Sequence, residues 1–236
     1  MRLARELRDG FIQREMRTHG RKNGYVTKGQ GERLARWLPV IGLGKDKTLD
    51  DANFTTPGPV ILEIGFGNGE FLEHLAVANP DWNIVGVEIY LPGIAKAISR
   101  LEQAGVVERV RISQLPAQYV LNHQIPDGSL HGVIINNPDP WPKARHHKRR
   151  LIQKDFTQTL VSKLQPGGFI KLATDIEELA EWMRDILDAT PGLTNVAGKG
   201  GYTVREEGRP VTKFEERGNK AGRTARYLHY IRGETQ

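Results

Sequence analysis

An acidic side chain and an indole stand between prolines in the segment NNPDPWPKARHHKRR, which spans residues 136–150. The apolar run before it, residues 133–135, indicates a buried strand, and the prolines around Asp139 and Trp141 force that strand to end in a turn. The cations that follow the turn are Lys143, Arg145, Lys148, Arg149 and Arg150. A carboxylate and an aromatic ring beside a phosphate-attracting run suit the binding of a nucleobase within a nucleic acid. The alternative is an ordinary solvated basic face after a loop.

A second group of chemically informative residues lies in ILEIGFGNGEF, residues 61–71. Gly65, Gly67 and Gly69 alternate at the end of a predicted strand, where glycines let the backbone approach a ligand and the next helix presents its N-terminus. Glu88 closes the following predicted strand about twenty residues later, a spacing typical of an acid that binds ribose hydroxyls. This pattern indicates a nucleotide-type cofactor. A solvated or helix-capping role for Glu88 is the alternative.

Glu63 distinguishes between the cofactors that such a loop could bind. It lies inside an apolar strand, and a buried acid is costly unless it has a partner. A carboxylate beside the glycines would repel the pyrophosphate of NAD but would attract the ammonium group of a methionine moiety. The sequence therefore favours S-adenosylmethionine over NAD.

Short apolar runs alternate with amphipathic stretches from residue 60 onward, which predicts strands joined by helices. The predicted strands are residues 60–66, 83–89, 110–115, 131–136, 168–174, 194–197 and 227–231. The predicted helices are residues 70–78, 93–104, 119–122, 149–164 and 176–189. Such alternation is typical of a mostly parallel, doubly wound sheet. The last two strands, separated by a predicted loop over residues 198–223, are expected to form an antiparallel edge pair.

Composition and charge narrow the class of protein. The chain has 236 residues, no cysteine and a net charge of +6, so thiolate metal sites are excluded and a reducing cytoplasm is expected. No apolar stretch is long enough to cross a membrane, and the N-terminus lacks the apolar core of a signal peptide. Residues 1–37 and 142–236 each carry a net +6, whereas residues 51–141 carry −6. Basic ends around an acidic middle favour a polyanionic partner.

Three motifs resemble the tRNA (guanine-N7-)-methyltransferase family, whose members use S-adenosylmethionine. EIGFGNGEF resembles the cofactor loop of the family, NPDPWPKARHHKRR its strand-four motif and RPVTKFEERG its C-terminal motif. The resemblance covers roughly residues 58–232. It implies a doubly wound, mostly parallel, seven-stranded Rossmann-like methyltransferase sheet with an antiparallel C-terminal edge. That domain would span residues 51–236, after a basic arm over residues 1–50.

The resemblance also implies roles for individual residues. Glu63, Gly65, Gly67 and Glu88 would bind the cofactor, and Asp139 would contact both cofactor and guanine. The implied substrate-binding residues are Lys143, Asp175, Thr212, Lys213, Phe214 and Glu215. Two positions depart from the family pattern: Pro116 stands where a polar, adenine-facing residue is usual, and Asn137 where Phe is common.

The chemistry expected of these residues is alignment rather than proton removal. Guanine N7 is a lone-pair acceptor without a proton, so methyl transfer needs no general base. Asp139, Asp175 and Glu215 are candidates for binding the N1–H and N2 amino edge of guanine. Trp141 or Phe214 would stack on a base, or else pack in the core.

Partners and competing functions complete the expectations. We expect a tRNA partner, no membrane, no metal and a monomer or homodimer, with His146 and His147 as exposed members of the basic face. The alternatives are a methyltransferase for another RNA, a methyltransferase for a small molecule or protein, and an RNA-binding protein that has lost catalysis.

Overall fold

The computed structural model describes residues 24–52 and 54–234. Its seven strands form a mixed sheet, and the chain divides into two compact units, one ending at Pro126 and the other beginning at Asp127. Among the described residues no helix is long and apolar enough to cross a membrane. The predicted domain boundary after residue 50 stays a prediction.

The first unit contains three parallel strands in the order β3-β2-β1. These are β1 (Val60–Ile64), β2 (Asn83–Val87) and β3 (Val110–Ser113), with Val60 opposite Asn83 and Ile84 opposite Val110. All residues of β2 and β3 are buried. Continuous burial explains the charge-free run of residues 84–87 in β2, because helices cover both faces of a parallel sheet.

The helices of the first unit are α1 (Lys28–Ile41), α2 (Glu70–Ala78), α3 (Leu91–Gln103) and α4 (Ala117–His123). Short 3₁₀ helices span Leu49–Ala52 and Val107–Arg109. The apolar stripe of α3 is fully buried at Ile94, Ala97, Ile98 and Leu101. The spacing of that stripe is the reason the helix is recognisable in the sequence.

Helix α1 occupies part of the predicted basic arm. It begins at Lys28, within a stretch rich in glycine. Thr27 and Gln30 form a capping box, which satisfies the exposed N–H groups of the first turn. Trp37 then donates a hydrogen bond to Glu102 of α3 over 3.1 Å. Residues 1–23 of the predicted arm lie outside the described residues.

The second unit contains the strands β4 (Leu130–Asn136), β5 (Leu164–Thr174), β6 (Leu193–Asn195) and β7 (Arg226–Arg232). Their order is β4-β5-β7-β6. Strands β4 and β5 are parallel, whereas β7 is antiparallel to both β5 and β6. The antiparallel C-terminal edge is therefore confirmed.

The helices of the second unit are α5 (Lys154–Lys163), α6 (Glu177–Asp188) and α7 (Lys213–Lys220), with a 3₁₀ helix over Ala144–Arg149. Two predictions were wrong. The helix expected from residue 149 begins only at Lys154, because Arg150 has an extended backbone and a buried side chain. Helix α7 lies within the predicted loop, where the capping box of Thr212 and Glu215 starts it.

Candidate active site

The glycine loop of the first unit has a left-handed backbone at each alternate position. The φ angles of Gly65, Gly67 and Gly69 are 75°, 58° and 76°, a region that L side chains rarely adopt. A Cβ at Gly65 or Gly67 would meet no described atom within 4 Å, whereas one at Gly69 would collide with Ala97 of α3. Gly69 thus permits helix packing, while the first two glycines leave room for a ligand.

Glu88 fixes this loop to the end of β2. Its Oε2 accepts a hydrogen bond from the N–H of Gly67 over 2.9 Å. Its Oε1 accepts from the N–H groups of Ile89 and Tyr90 over 2.7 and 2.9 Å. These bonds orient the carboxylate, which remains suited to accept bonds from ribose hydroxyls because a carboxylate has about four acceptor sites.

Glu63 is a buried acid of the first unit. Its side chain is 1% exposed, and it lies opposite Gly86 in the β1–β2 pair. A carboxylate held out of water binds a cation strongly. These groups fit S-adenosylmethionine. The carboxylate of Glu63 suits the ammonium group of the cofactor, and that of Glu88 suits the ribose hydroxyls. The space beside Gly65 and Gly67 lets the cofactor lie close to the backbone. That cofactor supplies an electrophilic methyl group.

The strand-four motif forms a strained loop in the second unit. Asn137 and Trp141 both have a left-handed backbone, with φ of 47° and 42°, and they flank the Pro-Asp-Pro sequence. Asp139 is exposed. Lys143, two residues after the loop, is also exposed. Both predicted contact residues are therefore accessible in their own unit.

Residues far apart in sequence join this loop to the C-terminal motif. Arg209 donates a hydrogen bond to Oδ1 of Asn136 over 2.8 Å, and Nδ2 of Asn137 donates to Oγ1 of Thr212 over 3.3 Å. Asparagine also tolerates the left-handed backbone better than Phe does. The departure at Asn137 therefore has a structural reason, since the amide makes a polar contact that Phe cannot make.

Glu215 is held by groups of its own unit. It is 2% exposed. Its Oε1 accepts from the hydroxyl of Tyr227 and its Oε2 from the N–H of Thr212, both over 2.7 Å. Burial opposes its ionisation, but the bonds from Tyr227 and Thr212, with the nearby Arg209, lower the pKa of Glu215 overall. Lys213 and Phe214 are exposed, with 57% of Phe214 accessible to solvent. Phe214 is therefore not packed in the core, and its ring is accessible for stacking on a base.

Asp175 is the other acid placed beside α7. Nε of Arg223 donates a hydrogen bond to its Oδ2 over 2.9 Å, and Nη2 of Arg223 forms an ion pair with the same oxygen at 2.8 Å. A Cβ on Gly218 of α7 would collide with this carboxylate. The glycine is therefore needed for α7 to lie against Asp175, a contact that the sequence alone did not indicate.

Arg150 does not belong to the solvated basic run. It is 3% exposed, its Nε donates to the carbonyl oxygen of Pro140 over 2.9 Å and its Nη2 donates to Glu178 over 2.7 Å. Its guanidinium also lies 4.9 Å from the ring centre of Trp182. The prediction of five phosphate-attracting cations is wrong for this residue, because its charge is already paired.

The two histidines are also less exposed than predicted. His147 stacks edge-on with Trp182, and its Nε2 lies 3.3 Å from Glu178. His146 meets the edge of Trp141, whose ring also lies 5.0 Å from the guanidinium of Arg149. Desolvation and the surrounding cations lower the pKa of His146. Within residues 24–52 and 54–234, no group of three or more His, Asp or Glu could hold a metal ion.

Comparison with known proteins identifies the family. A family model described as a putative methyltransferase matches residues 57–228. A protein of Alkalilimnicola ehrlichii named tRNA (guanine-N(7)-)-methyltransferase is 43% identical over 226 residues, which is 94% of each chain. The chain belongs to this family. A relative of the same name from Cronobacter sakazakii is 43% identical over 89% of this chain and 88% of its own. The predicted family, enzyme class and S-adenosylmethionine cofactor are thereby confirmed.

Solved structures support the fold. The 16S rRNA methyltransferase KamB matches with a TM-score of 0.59 at 13% identity, covering 81% of this chain and 97% of that one. A putative methyltransferase from Thermoplasma acidophilum matches with a TM-score of 0.50 at 21% identity, over 76% and 70% of the chains. The predicted Rossmann-like methyltransferase sheet is confirmed.

Proposed function

We propose that this protein transfers the methyl group of S-adenosylmethionine to N7 of a guanine in the variable loop of tRNA. The observation that carries the proposal is the contact between the two family-specific motifs. Asn136, the last residue of β4, accepts a hydrogen bond from Arg209 of the C-terminal motif, and Asn137 of the strand-four motif donates one to Thr212. These bonds gather the proposed guanine-binding residues in one unit.

The proposed roles of the substrate-binding residues follow from the exposure of their side chains. Glu63, Gly65, Gly67 and Glu88 bind the cofactor. In the second unit, Asp139, Lys143, Lys213 and Phe214 are exposed and contact guanine or its neighbours. Asp175 and Glu215 are engaged by Arg223 and Tyr227, and we propose that they contribute to substrate binding mainly by fixing α7.

The role of Asp139 in this scheme is orientation. Guanine N7 needs no deprotonation, so the rate depends on placing the nucleophile in line with the methyl group. Asp139 accepts a hydrogen bond from the N1–H or amino edge of guanine and also contacts the methionine end of the cofactor. We propose that the enzyme acts in the cytoplasm, as a monomer or homodimer.

The test is incubation of the protein with unmodified tRNA and methyl-labelled cofactor, followed by nucleoside analysis. We expect label in 7-methylguanosine, and loss of that label when the variable-loop guanine of the transcript is replaced by adenine. Ribosomal RNA serves as the competing substrate. Label in ribosomal RNA but not in tRNA would overturn the proposal.

A further inference from the structure

The loop from Asn137 to Trp141 is anchored at both ends although its central residue is exposed. At its start, the N–H of Asn137 donates to the carbonyl oxygen of Ala173 in β5 over 2.7 Å. The side-chain amide of Asn137 adds the bond to Thr212 at the N-terminus of α7. Near the end of the loop, Arg150 binds the carbonyl oxygen of Pro140. The two anchors lie on either side of Asp139.

The anchor at Arg150 is itself fixed by the fold. Its guanidinium is buried, lies over Trp182 and binds Glu178, and both of these partners belong to α6. A buried Arg whose Nε and Nη2 both bind fixed partners has little freedom to move, because each alternative position would leave a charge without a partner. Pro140 is therefore held at a set place relative to α6.

The backbone between the anchors is rigid and strained. The ring of each proline fixes its φ, and the left-handed conformation of Trp141 is rare for a bulky side chain. Such strain persists only where the surroundings enforce it, and it concentrates at functional sites. Within residues 24–52 and 54–234, Asp139 forms no hydrogen bond or ion pair. The contacts of the fold therefore hold the loop in place, and the carboxylate of Asp139 is available to bind a ligand.

We propose that Asn137 and Arg150 are positioning residues that act through Asp139: together they hold its carboxylate at the place from which it orients guanine. This inference rests on the proposed function and deepens it. Neither side chain needs to contact the substrate. Their effect is on the rate of methyl transfer once both substrates are bound, because misplacing in-line groups by about 1 Å costs about a hundredfold.

Two variants test the two anchors separately. Asn137→Gly removes the amide while glycine still accepts the left-handed backbone. Arg150→Lys keeps the charge for Glu178 but loses the planar fork that also reaches Pro140. Asn79→Gly is the matched control. It removes a hydrogen bond of 3.0 Å that the side-chain amide of Asn79 donates to the carbonyl oxygen of Leu75, in the other unit. Thermal unfolding defines a temperature at which each variant is folded, and all rates are measured below it.

We expect single-turnover methyl transfer at saturating tRNA and cofactor to fall about tenfold to a hundredfold in both variants. The Kd for tRNA and the control rate should change by less than about twofold, since neither side chain is proposed to contact a phosphate and phosphate contacts dominate affinity. If Arg150→Lys does not fold, Asn137→Gly decides alone, because its residue lies on a half-exposed loop. Wild-type rates in the folded variants would overturn the proposal.

A double-variant comparison separates positioning from general stabilisation. If Asn137 acts through Asp139, adding Asn137→Gly to Asp139→Asn should lower the residual rate by less than about threefold. If Asn137→Gly lowers the rate by the same factor in the wild type and in Asp139→Asn, Asn137 acts independently of Asp139 and the inference is refuted. A wild-type protein that forms no 7-methylguanosine in tRNA would instead refute the proposed function.

Discussion

The hydroxyl of Tyr227 in β7 donates a hydrogen bond of 2.7 Å to Oε1 of Glu215 in α7. Glu215 is at the same time the capping-box acid of that helix. The bond therefore ties the first turn of α7, which carries Lys213 and Phe214, to the antiparallel edge of the sheet. Burial and the adjacent carboxylate raise the pKa of Tyr227 to about 12.

This raised pKa predicts a loss of stability in alkali. The pKa of Tyr227 in the folded protein lies above the unfolded value of about 10. Its contribution to the free energy of unfolding is therefore fully present below pH 10 and is lost as the pH rises towards 12. Denaturant unfolding between about pH 8 and 11 measures it. Tyr227→Phe should be less stable at pH 8 and should show a smaller decline with alkali; equal declines would contradict the coupling.

Glu88→Ala should weaken cofactor binding and leave tRNA affinity nearly unchanged. The substitution removes the carboxylate that fixes the glycine loop through Gly67 and its expected bonds to ribose, a loss of about 1.5–3 kcal/mol. Calorimetric titration with S-adenosylmethionine measures it. The control is Glu102→Ala, which removes a carboxylate that binds Arg36 and Trp37 of α1. Loss of tRNA binding with intact cofactor binding would show that the assignment of ligands is reversed.

Asp139→Asn should reduce turnover by about a hundredfold or more while tRNA stays bound through its phosphates. The wild-type single-turnover rate should be flat between about pH 6 and 9, since N7 has no proton to remove. Asp81→Asn, at another exposed acid, is the control. A wild-type rate that keeps rising with pH would indicate proton removal and would exclude an orienting role.

Gly218→Ala should destabilise the protein although alanine favours helices by about 1 kcal/mol over glycine. A Cβ at this position would collide with the carboxylate of Asp175, so either α7 or Asp175 must move. Gly31→Ala in α1, where a Cβ would meet nothing within 4 Å, should have the opposite effect. Thermal unfolding of the two variants compares them directly, and a stabilised Gly218→Ala would disprove the close contact.

Deletion of residues 1–23 should lower tRNA affinity and flatten its salt dependence. The segment carries seven Lys and Arg against three Asp and Glu, and the deletion spares helix α1. Each lost phosphate contact removes about 0.7–0.9 from the slope of log affinity against log salt. Filter binding at several salt concentrations gives the slope, and an unchanged slope would mean that the segment does not contact RNA.

Local patterns in the sequence were enough to predict the fold class and the cofactor loop. Apolar runs and helical stripes such as Ile94 to Leu101 depend on neighbours a few residues away, so they mark strands and helices directly. The spacing of the glycines and Glu88 is likewise local to one strand–helix–strand unit. The capping box of Thr212 and Glu215 was also visible in the sequence, and it is the signal that would have predicted α7.

The state of each charged side chain was decided by the tertiary structure. Arg149 and Arg150 are adjacent and chemically identical, yet only Arg150 is buried, because Pro140, Glu178 and Trp182 surround it. The sequence determined which acids and cations are present, and on that basis Asp139 and Glu215 were both candidates for binding the N1–H and amino edge of guanine. Folding buries Glu215 beside Tyr227 and leaves Asp139 exposed. Burial depends on partners from distant parts of the chain, which no local pattern specifies.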